Sequence, residues 1–498
     1  MPNRFCQIMI GIAASLQVAQ ADPLDDYRDL QNRAEAVAAF APALEQATDT
    51  SLLSNPLLTD LMPAPTGQIS QTAQAKMDPA ELQLIDLRIA LVQLSIYAGT
   101  NDQLSVVRAQ AADAPQVIAI RNGSAHLSDI RDWIADQPAP ESMLSGDGLR
   151  IPLVVLEGAR LILSDGDALE LSRVDGTFLL NLGTLIIDGA QISVGGPENQ
   201  TVPEYAPFVV TAGSGIAQIS DAHITGLGFS KTAAFSGLAV VNKGLYQPIG
   251  QSFLTDSILH GVGAATFLGA DDPVIQGNIV VGATNAGLVL NRTEQAYVQG
   301  NLITQTQSGS ALRITDVATG SRVTGNLIFD NENTGIQVTR GSLDTALQDN
   351  ILWRNGGVGL SIQRSDCTYA TGNVAMDNGK KGIELQSSWH AELTENMVFG
   401  NRSSGLLVAD QPNGNETLVA RNVFAGNRVG LASASAHILT LRENDFSNQF
   451  PRLVEGDLLS EAHQIMTDLT GTDEIQLVAG GIEVFGGSSA ACSFERDG

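Results

Sequence analysis

The chain has 498 residues, of which 54 are acidic and 27 are basic, giving a formal net charge of −27. This acidity argues against nucleic acid as a partner, because a phosphate backbone attracts basic surfaces. Three cysteines are too few for a disulfide framework. No cluster of metal-ligand residues stands out, so the sequence predicts neither a cofactor nor a metal site. Calcium binding at Asp271-Asp272 is less favoured than a turn.

Residues 1–21 have the features of a secretory signal. Arg4 supplies the basic start, and Ala19–Ala21 supplies the small-x-small cleavage sequence after an apolar stretch. That stretch is too short to span a bilayer, and no later segment is long and apolar enough. The sequence therefore predicts an exported, periplasmic protein that does not span the membrane. Once the signal is removed, one disulfide between Cys367 and Cys492 is possible.

Residues 22–115 are predicted to form an N-terminal helical and linker region. Leu82–Tyr97 is predicted as a helix because its apolar residues recur at helical spacing. Residues 50–80 contain Pro and Thr and are predicted to form a loop or linker.

Asparagine recurs through the second half of the chain at intervals of 22 to 26 residues. The recurring residues are Asn278, Asn301, Asn326, Asn350, Asn373, Asn396, Asn422 and Asn444. Short apolar runs with period-2 alternation separate turn-forming Gly, Asn, Asp and Ser, as in short strands. A period of this length with three short strands per repeat predicts a parallel β-helix. Stacked repeats would place the Asn side chains in a hydrogen-bonded ladder.

The β-helix is predicted over residues 116–450, starting with irregular rungs. Residues 451–498 lose the Asn period and are predicted to form a C-terminal cap and tail, because the ends of solenoids need capping. The fold class is therefore all-β, with a partly helical N-terminal region.

Several segments occur in the order found in a known family. They are APQVIAI at 114–120, FVVTAGSG at 208–215, GLGFSK at 226–231 and ADDPV at 270–274, followed by Gly277-Asn278. In this order and spacing the chain resembles the periplasmic mannuronan C5-epimerases of bacterial alginate synthesis, over about two thirds of its length. The resemblance implies a right-handed parallel β-helix and an alginate-like uronate polymer as ligand.

C5-epimerisation needs a base, an acid on the opposite face of the sugar, and a cation or donor that stabilises charge on the carboxylate. The family supplies these with Asp-Pro-His-Asp after a Gly-Ile pair, and with an Arg one rung further on. Here Gly287-Leu288 is followed by Val289-Leu290-Asn291-Arg292, and Asp316 occupies the position of the family's Arg. Neither Asn nor Arg replaces the missing base, so the catalytic residues are unknown.

Other candidates remain near the predicted groove. The positions nearest the family site are Asn291, Arg292 and Asp316, and Arg340 and His390 match the family and are further candidates. The predicted substrate-binding residues are Lys231, Arg313, Arg340, Arg364, Lys380 and Trp389. Trp353, Tyr369 and Trp389 are alternatively sugar-stacking platforms or packing residues. Arg292 and Asp316 are alternatively an ordinary exposed ion pair.

The sequence predicts an exported protein that binds or processes a polysaccharide. Its role would lie in the biosynthesis, modification or export of a uronate-containing exopolysaccharide. Two alternatives stay open: an active polysaccharide epimerase or lyase with a relocated site, and a structural or adhesive β-helix. The expected partners are an acidic or neutral polysaccharide and other exopolysaccharide export proteins.

Overall fold

The structure is a computed structural model that describes residues 23–47, 50–59, 61–62, 66–70, 77–99, 103–110, 115–146, 148–242, 247–248, 250–483 and 492. The predicted signal at 1–21 lies outside the described residues. Three long sheets of 15, 14 and 14 strands, named sheets I, II and III, extend over residues 81–478. Successive strands go from sheet I to II to III and back to I, so the predicted all-β parallel β-helix is confirmed.

Within each sheet the strands pair in the order in which they occur along the chain. Sheet I contains Glu81–Asp86, Gln116–Arg121, Leu153–Val155, Leu179–Asn181, Val209–Ala212, Gly237–Val241, Ala264–Leu268, Leu288–Asn291, Leu312–Thr315, Ile336–Thr339, Leu360–Gln363, Ile383–Gln386, Ser404–Ala409, Val429–Ala434 and Arg452–Gly456. Sheet II contains Gly123–His126, Ala159–Leu163, Thr184–Asp188, Ile216–Ser220, Phe253–Thr255, Val274–Gln276, Tyr297–Gln299, Arg322–Thr324, Thr345–Gln348, Thr368–Thr371, Glu392–Thr394, Glu416–Ala420, Ile438–Arg442 and Ile475–Val478. Sheet III contains Leu144–Ser145, Gly148–Leu149, Ala168–Ser172, Gln191–Gly195, His223–Thr225, Ile258–His260, Ile279–Val281, Leu302–Thr304, Leu327–Phe329, Ile351–Trp353, Val374–Met376, Met397–Phe399, Val423–Ala425 and Asp445–Asn448.

The predicted Asn ladder lies at the turn from sheet II to sheet III. Asn350 shows the pattern: its Nδ2 donates to Asn373 Oδ1 at 2.9 Å and to the Val323 carbonyl at 2.9 Å. Its own Oδ1 accepts from the backbone N and Nδ2 of Asn326 at 3.1 and 2.9 Å. The residue before each ladder Asn has a positive φ, for example 66° at Gly372 and 53° at Asp349. Because Gly, Asn and Asp tolerate that conformation best, the turn explains the Gly-Asn and Asp-Asn pairs of the sequence.

A second ladder, which the sequence analysis missed, lies at the turn from sheet III back to sheet I. It links Asn331, Asn355, Asn378, Asn401, Asn427 and Gln449, with side-chain hydrogen bonds of 2.9 to 3.2 Å. Each member follows a member of the first ladder by five residues. This constant offset of five residues could have revealed the second ladder from the sequence.

An N-terminal arm wraps the outside of the solenoid. Helices α1 (Pro23–Ala38), α2 (Ala41–Glu45) and α3 (Pro56–Thr59), with the 3-10 turn Thr50–Ser54, lie on the apolar outer face of sheet III. The segment 66–70 then crosses sheet II, where the backbone N of Thr66 donates to Gln299 Oε1 at 2.8 Å. The predicted loop over 50–80 is therefore wrong where α3 and the 3-10 turn form.

The arm next reaches sheet I. Glu81–Asp86 is a strand antiparallel to Gln116–Arg121, so the helix predicted from Leu82 is wrong for its first residues. Helix α4 (Leu87–Ala98) begins only after Asp86, whose side chain accepts from the backbone N of Arg88 at 2.8 Å. Helices α4 and α5 (Gln103–Ala109) pack on the outer face of the first sheet I strands.

The two ends of the core are closed differently. Helix α6 (Leu127–Ala135) packs Leu127, Ile130 and Ile134 against the first rungs. At the far end the parallel stack continues to Gly456, six residues past the predicted boundary. A 3-10 turn (Asp457–Ser460), helix α7 (Ala462–Thr467) and the antiparallel strand Ile475–Val478 then cover the core. Short 3-10 turns also form at Pro140–Ser142 and Ala233–Phe235.

Cys367 and Cys492 form a disulfide across 125 residues of sequence. The tail runs back along the solenoid from Ile475–Val478 to a bridge between Ile482 and Pro412, and reaches Cys367 three residues after Arg364. None of the described helices has the length and apolar character needed to cross a membrane.

Replacing Asn350 by Ala should lower the free energy of unfolding by about 3 kcal/mol or more. It strips partners from several buried groups, each of which costs about 1–3 kcal/mol when unsatisfied. Chemical denaturation followed by circular dichroism measures the loss. Asn333→Ala is the control, because Asn333 is exposed and its side chain donates to the Ser308 carbonyl outside the ladders. Equal effects of the two changes would contradict a stabilising ladder.

Replacing Asp256 by Asn should stabilise the fold near neutral pH by a few tenths of a kcal/mol. Burial and the carboxylate of Asp221 raise the pKa of Asp256. A raised folded-state pKa means that protonation stabilises the native state below the unfolded pKa, and that this stabilisation is lost as the pH rises through the folded value. The gain from Asn should therefore shrink towards about pH 4. Urea denaturation near neutral pH and at about pH 4 measures the gain in unfolding free energy of the Asn variant. An equal gain under the two conditions would contradict this account.

Reduction of the disulfide should lower the stability of the tail-bound state by about 5 kcal/mol, the loop-entropy value for a loop of this length. Thermal unfolding with and without dithiothreitol measures the effect. The Cys367→Ser/Cys492→Ser double variant should melt like the reduced wild type and ignore the reductant. An unchanged melting temperature of the reduced wild type would show that the bond adds no stability.

Candidate functional site

The outer face of sheet I changes character along the solenoid. Over its first strands it is apolar and covered by α4 and α5, which pack against residues such as Phe178, Phe208 and Val210. From the strand Ala264–Leu268 onwards a largely polar row follows. The row consists of Thr266, Val289, Arg313, Gln337, Ser361, Glu384 and Leu407, paired strand to strand. We call this row and its two edges the polar face, with members about 4.8 Å apart.

Four side chains meet at the polar face. Asn291 Nδ2 donates to Asp316 Oδ2 at 2.9 Å, and Arg340 Nη1 lies 3.4 Å from Asp316 Oδ1. Arg313 lies half-buried on the strand beside them. Burial lowers its pKa, the guanidinium of Arg340 lowers it further, and Asp316 opposes both. The cluster thus holds two cations against one carboxylate and has an excess of positive charge.

Backbone conformation positions this cluster. Arg292, Asp316, Arg340 and Arg364 each follow a sheet I strand and have φ between 49° and 59°. Non-glycine residues adopt this region only at a cost, and here the rung-to-rung hydrogen bonds hold them in it. Four consecutive rungs therefore present their side chains at the same edge, between sheets I and II.

Polar atoms of the cluster are left without partners. Among the described residues, Arg313 Nε and Asn291 Oδ1 are buried and make no hydrogen bond. An unpaired donor and an unpaired acceptor in the same cluster suit a ligand that offers both hydroxyl and carboxylate groups.

Six of the predicted candidates lie on the polar face or its edges. Asn291, Arg313, Asp316 and Arg340 come together, and Asp316 is paired with Arg340, whereas the alternative paired it with Arg292. Arg364 is exposed on the same edge one rung beyond Arg340. Lys380 is exposed at the opposite edge, between sheets III and I.

Glu384 belongs to the polar face and was missed. Its carboxylate accepts from Ser361 Oγ at 3.2 Å and from Gln363 Nε2 at 3.1 Å, and it forms an ion pair with Lys381. The side chain is therefore engaged on both oxygens. Lys381, three residues before Glu384, could have revealed this ion pair from the sequence, because both residues lie at the same edge of sheet I.

Lys231 is exposed in the loop before Gly237–Val241. That strand is three strands before the one carrying Arg313, a distance of roughly 14 Å along the axis. Lys231 therefore lies on the same side of the solenoid and outside the cluster. Asp271 and Asp272 form a turn, with a β-bridge from Asp271 to Glu294 and φ 48° at Asp272.

The aromatic candidates lie elsewhere. Trp353 is 1% exposed on sheet III beneath the N-terminal arm, so its proposed role as a sugar platform is wrong. The backbone N of Trp389 donates to Asp366 Oδ1 at 2.9 Å, and that of His390 donates to Asn415 Oδ1 at 2.8 Å. His390 lines a cavity of about 600 Å³ with Tyr369 and residues of sheet II, away from the Arg313 cluster.

The chemistry open to the cluster follows from these contacts. Two guanidinium groups can hold a carboxylate by charge-assisted hydrogen bonds. Asp316 is paired with Arg340, and its two oxygens already accept hydrogen bonds from Asn291 and Arg340. The arrangement therefore favours anion binding over proton abstraction.

Known proteins share this architecture. A family model described as right handed beta helix region matches residues 208–352, 263–424 and 345–494, together more than half of the chain. The mannuronan C5-epimerase of Pseudomonas putida is 23% identical over 417 residues, covering 79% of this chain and 77% of its own. That of Pseudomonas aeruginosa is 23% identical over 372 residues, covering 71% and 67%.

A solved structure, the periplasmic alginate epimerase AlgG, superposes with a TM-score of 0.62 at 19% identity. The superposition covers 77% of this chain and 93% of AlgG. The predicted resemblance to the mannuronan C5-epimerases is thereby confirmed. The chain belongs to the right-handed β-helix family, and its fold is similar to that of AlgG.

Proposed function

We propose that this protein binds a uronate-containing, alginate-like polysaccharide along the polar face of sheet I. The observation that carries the proposal is the cluster of Arg313, in the row, with Arg340 at the edge between sheets I and II. Arg364 lies on the same edge and Lys380 on the opposite one. The similarity to proteins named mannuronan C5-epimerase and periplasmic alginate epimerase supports the polymer class and an exported, periplasmic location. The partnership with other export proteins stays a prediction.

Spacing supports a polymer over a small anion. Adjacent rungs are about 4.8 Å apart, close to the length of one pyranose unit along an extended chain. Arg340 and Arg364 lie on adjacent rungs of one edge, so successive uronate carboxylates of a bound polymer would meet successive cations. The formal charge of the whole chain is −27, so this local positive excess is what makes contact with a polyanion favourable.

Holding the polymer is favoured over converting it. Within the described polar face the carboxylates of Asp316 and Glu384 are both engaged by neighbouring donors. The positions of the family's Asp-Pro-His-Asp sequence carry no His or Asp in this chain. The protein would therefore protect or guide the polymer rather than epimerise it.

Affinity measurements test this proposal. Polymannuronate binding, followed by calorimetry at low salt, should weaken about tenfold in Arg313→Gln and in Arg340→Gln, since hydrogen bonds to charged groups contribute about 1.5–3 kcal/mol. Added salt should weaken wild-type binding by screening. Arg421→Gln is the matched control, because Arg421 makes a similar rung-to-rung ion pair with Glu395 at the edge between sheets II and III. Equal affinities of all four proteins would overturn the proposal.

A second candidate function is epimerisation with a relocated base. A substrate carboxylate that displaced Asp316 from Arg340 would free the Asp316 carboxylate beside the sugar ring, with two guanidinium groups left to hold the substrate. Incubation with polymannuronate in deuterated water, followed by proton NMR, should then show deuterium at C5 that disappears in Asp316→Asn. Asp410→Asn is the control, because Asp410 lies on the same edge and accepts from Gln386 Nε2 at 2.6 Å. Absence of exchange would leave binding as the sole function of the face.

A further inference from the structure

The helices α4 and α5 each leave an apolar side uncovered. On α4, Ile89, Val92 and Ile96 are 53, 56 and 61% exposed, at a spacing that places them on one side of the helix. On α5, Leu104 and Val107 are 58 and 40% exposed, again on one side. We call these five side chains the outer apolar patch.

Packing among the residues that the structure describes does not account for this patch. The opposite sides of both helices already bury Leu87, Leu91, Leu94 and Val106 against sheet I. Ten large apolar side chains are exposed in the part of the chain that the structure describes, and five of them fall between residues 89 and 107. Scattered exposed apolar residues are ordinary, whereas a contiguous patch marks an interaction surface.

We propose that the outer apolar patch is the contact between two copies of this chain. Its exposed side chains present on the order of 500 Å² of apolar surface, near the upper end of what a monomer usually leaves exposed. A standard interface buries about 800 Å² per partner, somewhat more than half of it apolar. The patch therefore supplies the apolar part of one standard interface, and in a twofold dimer each copy meets the same surface on the other.

Charge supports a second copy as the occupant. Residues 81–109 contain three acidic and two basic side chains, a net charge of −1, against −27 for the whole chain. Two identical, strongly acidic molecules repel each other over most of their surfaces. A nearly neutral apolar patch, whose neighbour Asp86 is already paired with Arg88, is where they approach at the least electrostatic cost.

The location of the outer apolar patch has a consequence for polysaccharide binding, which rests on the proposed function. Helix α4 packs on the strand Val209–Ala212, four strands before the one that carries Arg313, or roughly 19 Å along the axis. In the dimer both polar faces would begin near the shared contact. One polymer long enough to reach both would gain effective concentration at the second face.

Light scattering coupled to size-exclusion chromatography tests the dimer directly, without any polysaccharide. The wild-type chain should show twice the monomer mass at high concentration and dissociate on dilution. Val92→Glu and Leu104→Glu should be monomeric at concentrations where the wild type is dimeric, with unchanged circular dichroism because both positions are exposed. Leu459→Glu is the control, since Leu459 is 62% exposed on the C-terminal cap, and it should stay dimeric.

Two results would overturn the proposal. A wild type that is monomeric at every concentration would mean that the patch serves a different partner. Dissociation by Leu459→Glu as complete as by Val92→Glu would mean that the patch is not the contact. Because no polymer is present, neither result bears on polysaccharide binding.

Discussion

Stacked amide hydrogen bonds are the interaction on which this molecule depends. A rung of a β-helix must turn at three corners, and each corner takes backbone groups out of the hydrogen bonding of the sheets. At two of the three corners the chain places an Asn whose side chain hydrogen-bonds the backbone of the preceding rung and the Asn side chains above and below it. These amides are buried and fully partnered, so they contribute stability and fix the register at once. The spacing of five residues between the two ladders is constant, whereas the rungs differ in length elsewhere without breaking either ladder.

That regularity explains how the site arises. Since the ladders hold the rungs that they connect in register, residues one period apart in sequence become neighbours in space. Asn291, Asp316 and Arg340 follow one another at 25 and 24 residues, and they stack. The N-terminal arm covers the apolar outer faces of sheet III and of early sheet I, and leaves the polar face open. Fold and binding surface thus have the same origin, the repetition of one rung.

The sequence predicted the solenoid because the Asn period and the Gly or Asp before most of these Asn residues come from the same turn, repeated once per rung. It also gave Asn291 and Asp316 as positions near the family site and Arg313 and Arg340 as candidates, and the structure brings these four together. It did not reveal which face the arm would cover, because helical periodicity shows that one side of a helix is buried without showing against what. Trp353 is an example. Its side chain was a candidate for stacking on a sugar, but the N-terminal arm, which is far away in sequence, covers it. Glu384 was missed because its partners Ser361 and Gln363 come from another rung.

The disulfide has a consequence for the way the molecule comes apart. In a solenoid each rung contacts only its neighbours, so unfolding normally starts at an end and proceeds one rung at a time. The tail here runs back from the terminal strand of sheet II to Cys367 and is bonded there covalently. The last rungs therefore cannot peel away singly while the bond persists, and they behave as one cooperative block. In an oxidising compartment the disulfide would therefore protect the C-terminal end of the solenoid against unfolding from that end.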